Sequence, residues 1–72
     1  MNKPKYKLGD VVEFIVNDKT QVGTIEIVDR FGTFGQSDQP SYDIMVDNWF
    51  GSGEAMFCKH VVESLVLNKI SH

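Results

Sequence analysis

The feature that most constrains this chain is a set of short runs in which apolar and polar residues alternate. In Val11-Val12-Glu13-Phe14-Ile15-Val16, Glu13 marks the solvent face. Successive strand side chains point to opposite faces, so Val12, Phe14 and Val16 turn inward. β-branched and aromatic residues dominate these runs, and helical periodicity is weak throughout. A second run covers residues 21–29, where Glu26 faces out and Ile25 and Ile27 face in. Gly23 shares the inward face, where a missing side chain permits a sharp bend or the close approach of another backbone. In the third run, 41–46, Tyr42, Ile44 and Val46 share one face, and Asp43 lies on the other with Asp47 beyond it. The fourth run, 55–59, has an ambiguous phase; with Lys59 outward, Met56 and Cys58 point inward. Residues 65–70 form a fifth.

The connections agree with this division. Leu8-Gly9-Asp10 reads as a turn, and Asn17-Asp18-Lys19-Thr20 as a polar hairpin connection. Residues 30–40, with two glycines and a proline, read as a long loop. The segment 60–64 is too short for a stable helix and fits one 3₁₀ turn. Five antiparallel strands laid flat would leave two edges and one uncovered face. Curling buries the inward set: Val12, Phe14, Val16, Ile25, Ile27, Tyr42, Ile44, Val46, and Leu65 or Val66. The expected architecture is therefore all-β, a small five-stranded antiparallel barrel, closed or partly closed, with one 3₁₀ turn before the last strand.

At 72 residues the chain has room for one core. Its net charge of −3 is unevenly spread. Lys3, Lys5 and Lys7 crowd the start, whereas from residue 8 onward four basic residues face ten acidic ones, a balance of −6. This divides the chain into a basic arm, 1–7, free to move, and a single acidic domain, 8–72. One cysteine excludes an internal disulfide framework and a cysteine zinc site. No apolar run is long enough to span a membrane, and the basic N-terminus lacks the apolar stretch of a signal peptide. An intracellular protein is expected.

The strand order resembles that of SH3-like barrels, in the variant found in KOW and Tudor-type modules. Gly9-Asp10-Val11-Val12-Glu13-Phe14 and Gly23-Thr24-Ile25 are similar to their first two strands. More narrowly, Gly32-Thr33-Phe34-Gly35-Gln36, Ser41-Tyr42-Asp43-Ile44 and Lys59-His60-Val61 resemble segments of small proteins from bacteriophages and prophages, over residues 5–70. The resemblance implies an SH3-like fold, a mobile-element origin and a place in the cytoplasm of the bacterial host. It implies no activity. KOW modules carry a more basic nucleic-acid face than this sequence provides.

No enzyme or cofactor signature is present. Gly32-x-x-Gly35 lacks the strand-to-helix setting of a phosphate-cradling loop. Cys58 and His60, two apart on a strand, would share a face about 6–7 Å apart, as a nucleophile and base might, yet no orienting group or oxyanion site is visible. Core packing is the simpler role for Cys58, and completing hydrogen bonds near the final turn the simpler role for His60. Asp43, Asp47 and Glu54 could hold a hard cation, but their spacing follows no calcium loop and a solvated acidic face explains them.

Trp49-Phe50 is the most informative pair. It lies in a turn flanked by Asp47-Asn48 and Gly51-Ser52-Gly53. Either one ring is exposed as an interaction anchor, or both fold back to cap the end of the barrel. Phe31 and Phe34 pose the same question in the long loop, and together with Tyr42 and Trp49 they could frame an aromatic groove. The leading expectation is a non-enzymatic, protein-binding module. Trp49 and Phe50, with Phe31 and Phe34, supply its anchors, and Asp43, Asp47 and Glu54 an electrostatic rim toward a basic protein surface. Small acidic phage proteins that block host nucleic-acid-processing or defence enzymes, anti-CRISPR proteins among them, are the analogy. The alternative is a KOW- or Tudor-like adaptor that binds nucleic acid or peptide through Phe31, Phe34, Lys3, Lys5, Lys7 and Arg30. A homodimer through a strand edge or the Trp49-Phe50 turn is compatible with either.

Overall fold

A computed structural model describes residues 3–31 and 39–71. The described residues form five β-strands and two single 3₁₀ turns: β1 (Val11–Val16), β2 (Lys19–Asp29), β3 (Ser41–Val46), η1 (Trp49–Gly51), β4 (Met56–Val62), η2 (Glu63–Leu65) and β5 (Val66–Ser71). All pairings are antiparallel, in one sheet ordered β4-β3-β2-β1-β5. Full closure is not reached, because β4 and β5 are the outer strands and do not pair with each other. Among the described residues no helix is long and apolar enough to cross a membrane.

The core draws on every strand: Val12 and Phe14 from β1, Ile25 from β2, Tyr42, Ile44 and Val46 from β3, Val61 from β4 and Val66 from β5. A single sheet has no second layer to pack against. One contiguous cluster therefore requires the sheet to coil onto its own inner face. Val16, Val28, Trp49 and Cys58 pack on this cluster from its margins.

The β1–β2 connection is tighter than the four-residue hairpin connection expected. Val16 pairs with Lys19, so only Asn17 and Asp18 turn, both left-handed at φ 52° and 61°. That is the primed turn whose twist matches the flanking strands, and Asn and Asp tolerate it better than most residues. Ahead of β1, Gly9 at φ +91° lets the chain turn back, with the Asp10 amide donating to Lys7 O (3.0 Å) and Asp10 Oδ2 accepting the Lys7 amide (2.9 Å).

Ile27 corrects the inward set: it is half exposed, and Val28 packs on the core instead. Ile25 pairs with Ile44 and Ile27 with Asp43, so Glu26 is an extra residue in a bulge. Two consecutive residues then face outward and the alternation restarts one position later. The fourth strand also differs. It runs through His60-Val61-Val62, which the sequence assigned to a turn, and the 3₁₀ turn begins only at Glu63. Met56 is exposed rather than inward, Val61 is a core residue, and of the pair Leu65/Val66 it is Val66 that is buried.

Gly23 is required by close approach. A Cβ there would lie 2.6 Å from both Ile44 Cγ2 and the Met45 carbonyl oxygen. The Lys5–Lys7 stretch of the basic arm lies on the domain. Glu63 Oε2 accepts the Lys5 amide (2.9 Å) and the Tyr42 hydroxyl (2.7 Å), and the Tyr6 ring meets Tyr42 edge-on at 5.8 Å.

Candidate functional site

The loop between β3 and β4 is built by its own polar residues. Asn48 Oδ1 accepts the Gly53 amide (2.6 Å), and the Trp49 amide donates to Glu54 O (2.8 Å). Gly51 and Gly53 take φ +78° and +83°, which glycine adopts without penalty. Phe50 takes φ 49°, a conformation that costs a residue with a Cβ roughly 1–2 kcal/mol. Two contacts hold it there. Its amide donates to Gln21 Oε1 (3.0 Å), and its ring meets Trp49 edge-on at 4.6 Å. Gln21 pairs with Phe14 and so sits on the inner-face side of β2. The turn is thereby folded back over one end of the sheet.

The two aromatic rings divide the roles that the sequence left open. Trp49 is half-buried against the core cluster, while Phe50 is 39% exposed. Both capping and exposure occur, one on each ring.

Beside Trp49 lies an open groove of about 540 Å³, within the range of ~300–1,000 Å³ usual for ligand pockets. One wall is the continuous stretch Met56–Val61 of β4. The opposite wall is the end of β1 and its turn, Ile15–Asp18, and Trp49 and Leu65 complete the lining. The groove thus lies between β4 and the end of β1, in a sheet that leaves a seam between its outer strands β4 and β5. Met56 and Leu65 are 42% and 38% exposed, so apolar surface faces solvent here. Lys59, His60, Asp18 and Cys58 are its ionisable members.

Cys58 and His60 both line the groove, but the strand between them is irregular. Ile44 pairs with Cys58 and Tyr42 with Val61, which leaves Lys59 and His60 in a bulge opposite Asp43. His60 takes φ 60° and its amide donates to Asp43 Oδ1 (2.9 Å). The period-two relation expected of the pair does not hold across this bulge. Cys58 is half-buried, and burial pushes its thiol above the ordinary value.

The remaining sequence-predicted residues are dispersed. Asp43 is engaged at the β4 bulge, while Asp47 and Glu54 are exposed. Among the described residues no three His, Cys, Asp or Glu side chains converge as a metal site. Tyr42 is sealed in the core and cannot line an aromatic groove. Phe31 is 74% exposed with Arg30 exposed beside it, and Lys3, Lys5 and Lys7 are exposed on the arm. Phe34 lies outside the described residues. Sequence reading missed Gln21, which fixes the aromatic turn, and the seam itself. A polar residue at an inward position of β2 was the only signal for the first. Comparison with protein-family models, curated proteins and solved structures returns no match for this chain.

Proposed function

We propose that this chain is a non-enzymatic protein-binding module, an SH3-like barrel left open at one seam, whose contact surface is the groove beside Trp49. The observation that carries the reading is the groove itself: exposed apolar side chains around a half-buried tryptophan, with the outer strand β4 as one wall. The half-buried Cys58 thiol, pushed up by burial, is a poor candidate for an attacking cysteine. The acidic balance of residues 8–72 and the resemblance to phage and prophage proteins point to a modulator of a host nucleic-acid-processing or defence system. Charge of this kind speeds encounter with a basic partner.

The test is retention of a bacterial host protein by the immobilised chain, compared with its Met56→Glu variant. Met56 is exposed, so the variant keeps the fold, checked by an unchanged thermal midpoint. Retention by the native chain and loss by the variant is the expected result. Equal retention by both overturns the groove as contact surface.

A second reading, an adaptor for nucleic acid, is favoured by the exposed Arg30–Phe31 pair together with the three arm lysines. Cations beside an aromatic face are the elements of single-strand binding. Filter binding across a salt series decides it: a steep salt slope supports the adaptor, and no binding at low salt excludes it.

A further inference from the structure

We propose that the free edge of β4 accepts an extended, carboxylate-bearing peptide segment as an added strand. This rests on the reading of the groove as a protein-binding surface, and adds what kind of segment enters and how it is held.

The first argument is the pattern of the lining. A groove over the face of a strand is lined by every second residue, because alternate side chains leave the other way. Here Met56, Phe57 and Cys58, the regularly paired part of β4 ahead of the bulge, line it with none skipped. That pattern arises when a groove runs along a strand's edge. The topology agrees: among the described residues β4 pairs with β3 alone. An unpaired edge presents backbone N–H and C=O groups at strand spacing, and another extended backbone is the partner that matches them.

The second argument is the length of the usable edge. β4 pairs one-to-one with β3 at Met56, Phe57 and Cys58, after which the bulge at Lys59–His60 interrupts the ladder. An added strand pairs along 56–58 and must leave at His60. Its alternate side chains there meet Met56, Trp49 and Leu65, so apolar residues are required at those positions.

Charge selects the occupant. The β4 wall carries Lys59 and His60; among the described residues Asp18, on the opposite wall, is the acidic member of the lining, while Asp43 faces the bulge from β3 and accepts the His60 amide. A carboxylate in the segment, placed beside Lys59 and away from Asp18, complements this arrangement.

The experiment selects the full chain against a synthetic library of capped octapeptides randomised over Val, Ile, Phe, Glu and Lys. Trp49 is the sole tryptophan, so its emission reports groove occupancy directly. The expected selection is enriched in Glu among alternating apolar residues. The best peptide shifts Trp49 emission and slows amide exchange within Met56–Cys58. Backbone N-methylation of that peptide at alternate residues weakens it by about tenfold or more, the worth of a lost backbone hydrogen bond. Lys59→Glu moves the selection from Glu to Lys. A peptide that shifts Trp49 emission yet leaves those amides unprotected, or tolerates N-methylation, overturns strand addition and leaves the groove reading standing. Enrichment of Lys by the native chain overturns the charge assignment. A concentration-dependent dimer that protects Met56–Cys58 gives the edge to a second copy and overturns the proposal. No enriched sequence and no Trp49 response overturns both readings together.

Discussion

The hydroxyl of Tyr42 donates to Glu63 Oε2 at 2.7 Å, and the same carboxylate oxygen accepts the Lys5 amide at 2.9 Å. One oxygen on η2 thus joins the start of β3 to the N-terminal arm. Burial raises the Tyr42 phenol well above its ordinary value, and the adjacent Glu63 carboxylate adds to the effect. A group that holds its proton more tightly when folded stabilises the fold below its unfolded value, and that contribution is lost as pH rises toward the folded one. Stability is therefore expected to fall above pH ~10, the ordinary tyrosine value. Absorbance titration alongside thermal melts checks this. Tyr42→Phe should flatten the alkaline loss.

Breaking the same junction from the other side frees the arm. Tyr42→Phe removes the hydrogen bond to the Glu63 carboxylate, worth about 1.5–3 kcal/mol when well shielded and less at this half-buried group, together with the long one accepted from the Tyr6 amide (3.4 Å). Glu63→Ala removes the acceptor from Lys5 as well. Trypsin cleavage at Lys5 should accelerate more in Glu63→Ala than in Tyr42→Phe.

Gly23→Ala places a methyl group 2.6 Å from a backbone carbonyl that cannot swing aside. Overpacking of this kind costs about 1–3 kcal/mol. Urea denaturation should show a lower midpoint with an unchanged slope. No loss would mean that β2 and β3 separate more easily than their packing indicates.

Trp49 and Phe50 should separate when mutated. Trp49→Ala strips a ring from the margin of the core and lowers stability. Phe50→Gly loses an edge-on aromatic contact worth about 0.5–1.5 kcal/mol but relieves a left-handed backbone costing about as much. Near-native stability is expected for Phe50→Gly.

Cys58 should react slowly with a thiol reagent in the native protein and quickly in denaturant. Its thiol is half-buried and its ionisation is pushed upward by that burial. Fast native labelling would place the side chain outside the core margin.

Alternation made most of the strand set and core legible, because one inward face requires it. Val12, Phe14, Ile25, Tyr42, Ile44 and Val46 all follow the simple pattern. Ile27 does not, since the bulge at Glu26 changes the phase without any compositional mark. His60 likewise takes a left-handed conformation that a glycine would have announced and a histidine does not. The Trp49-Phe50 pair was recognisable as unusual, but its division into one capping and one exposed ring depends on Gln21, distant in sequence. The seam was beyond a linear reading, because closure depends on how strands meet across the sheet.

β1 is hydrogen-bonded to β2 on one edge and to β5 on the other, and β5 has no other strand neighbour. A ribosome releases the first hairpin early, yet β1's outer edge stays uncovered until residues 66–71 have emerged. The flank of the nascent hairpin is therefore open to other strands throughout the synthesis of β2, β3 and β4, and the sheet is completed by the strand made last of the five.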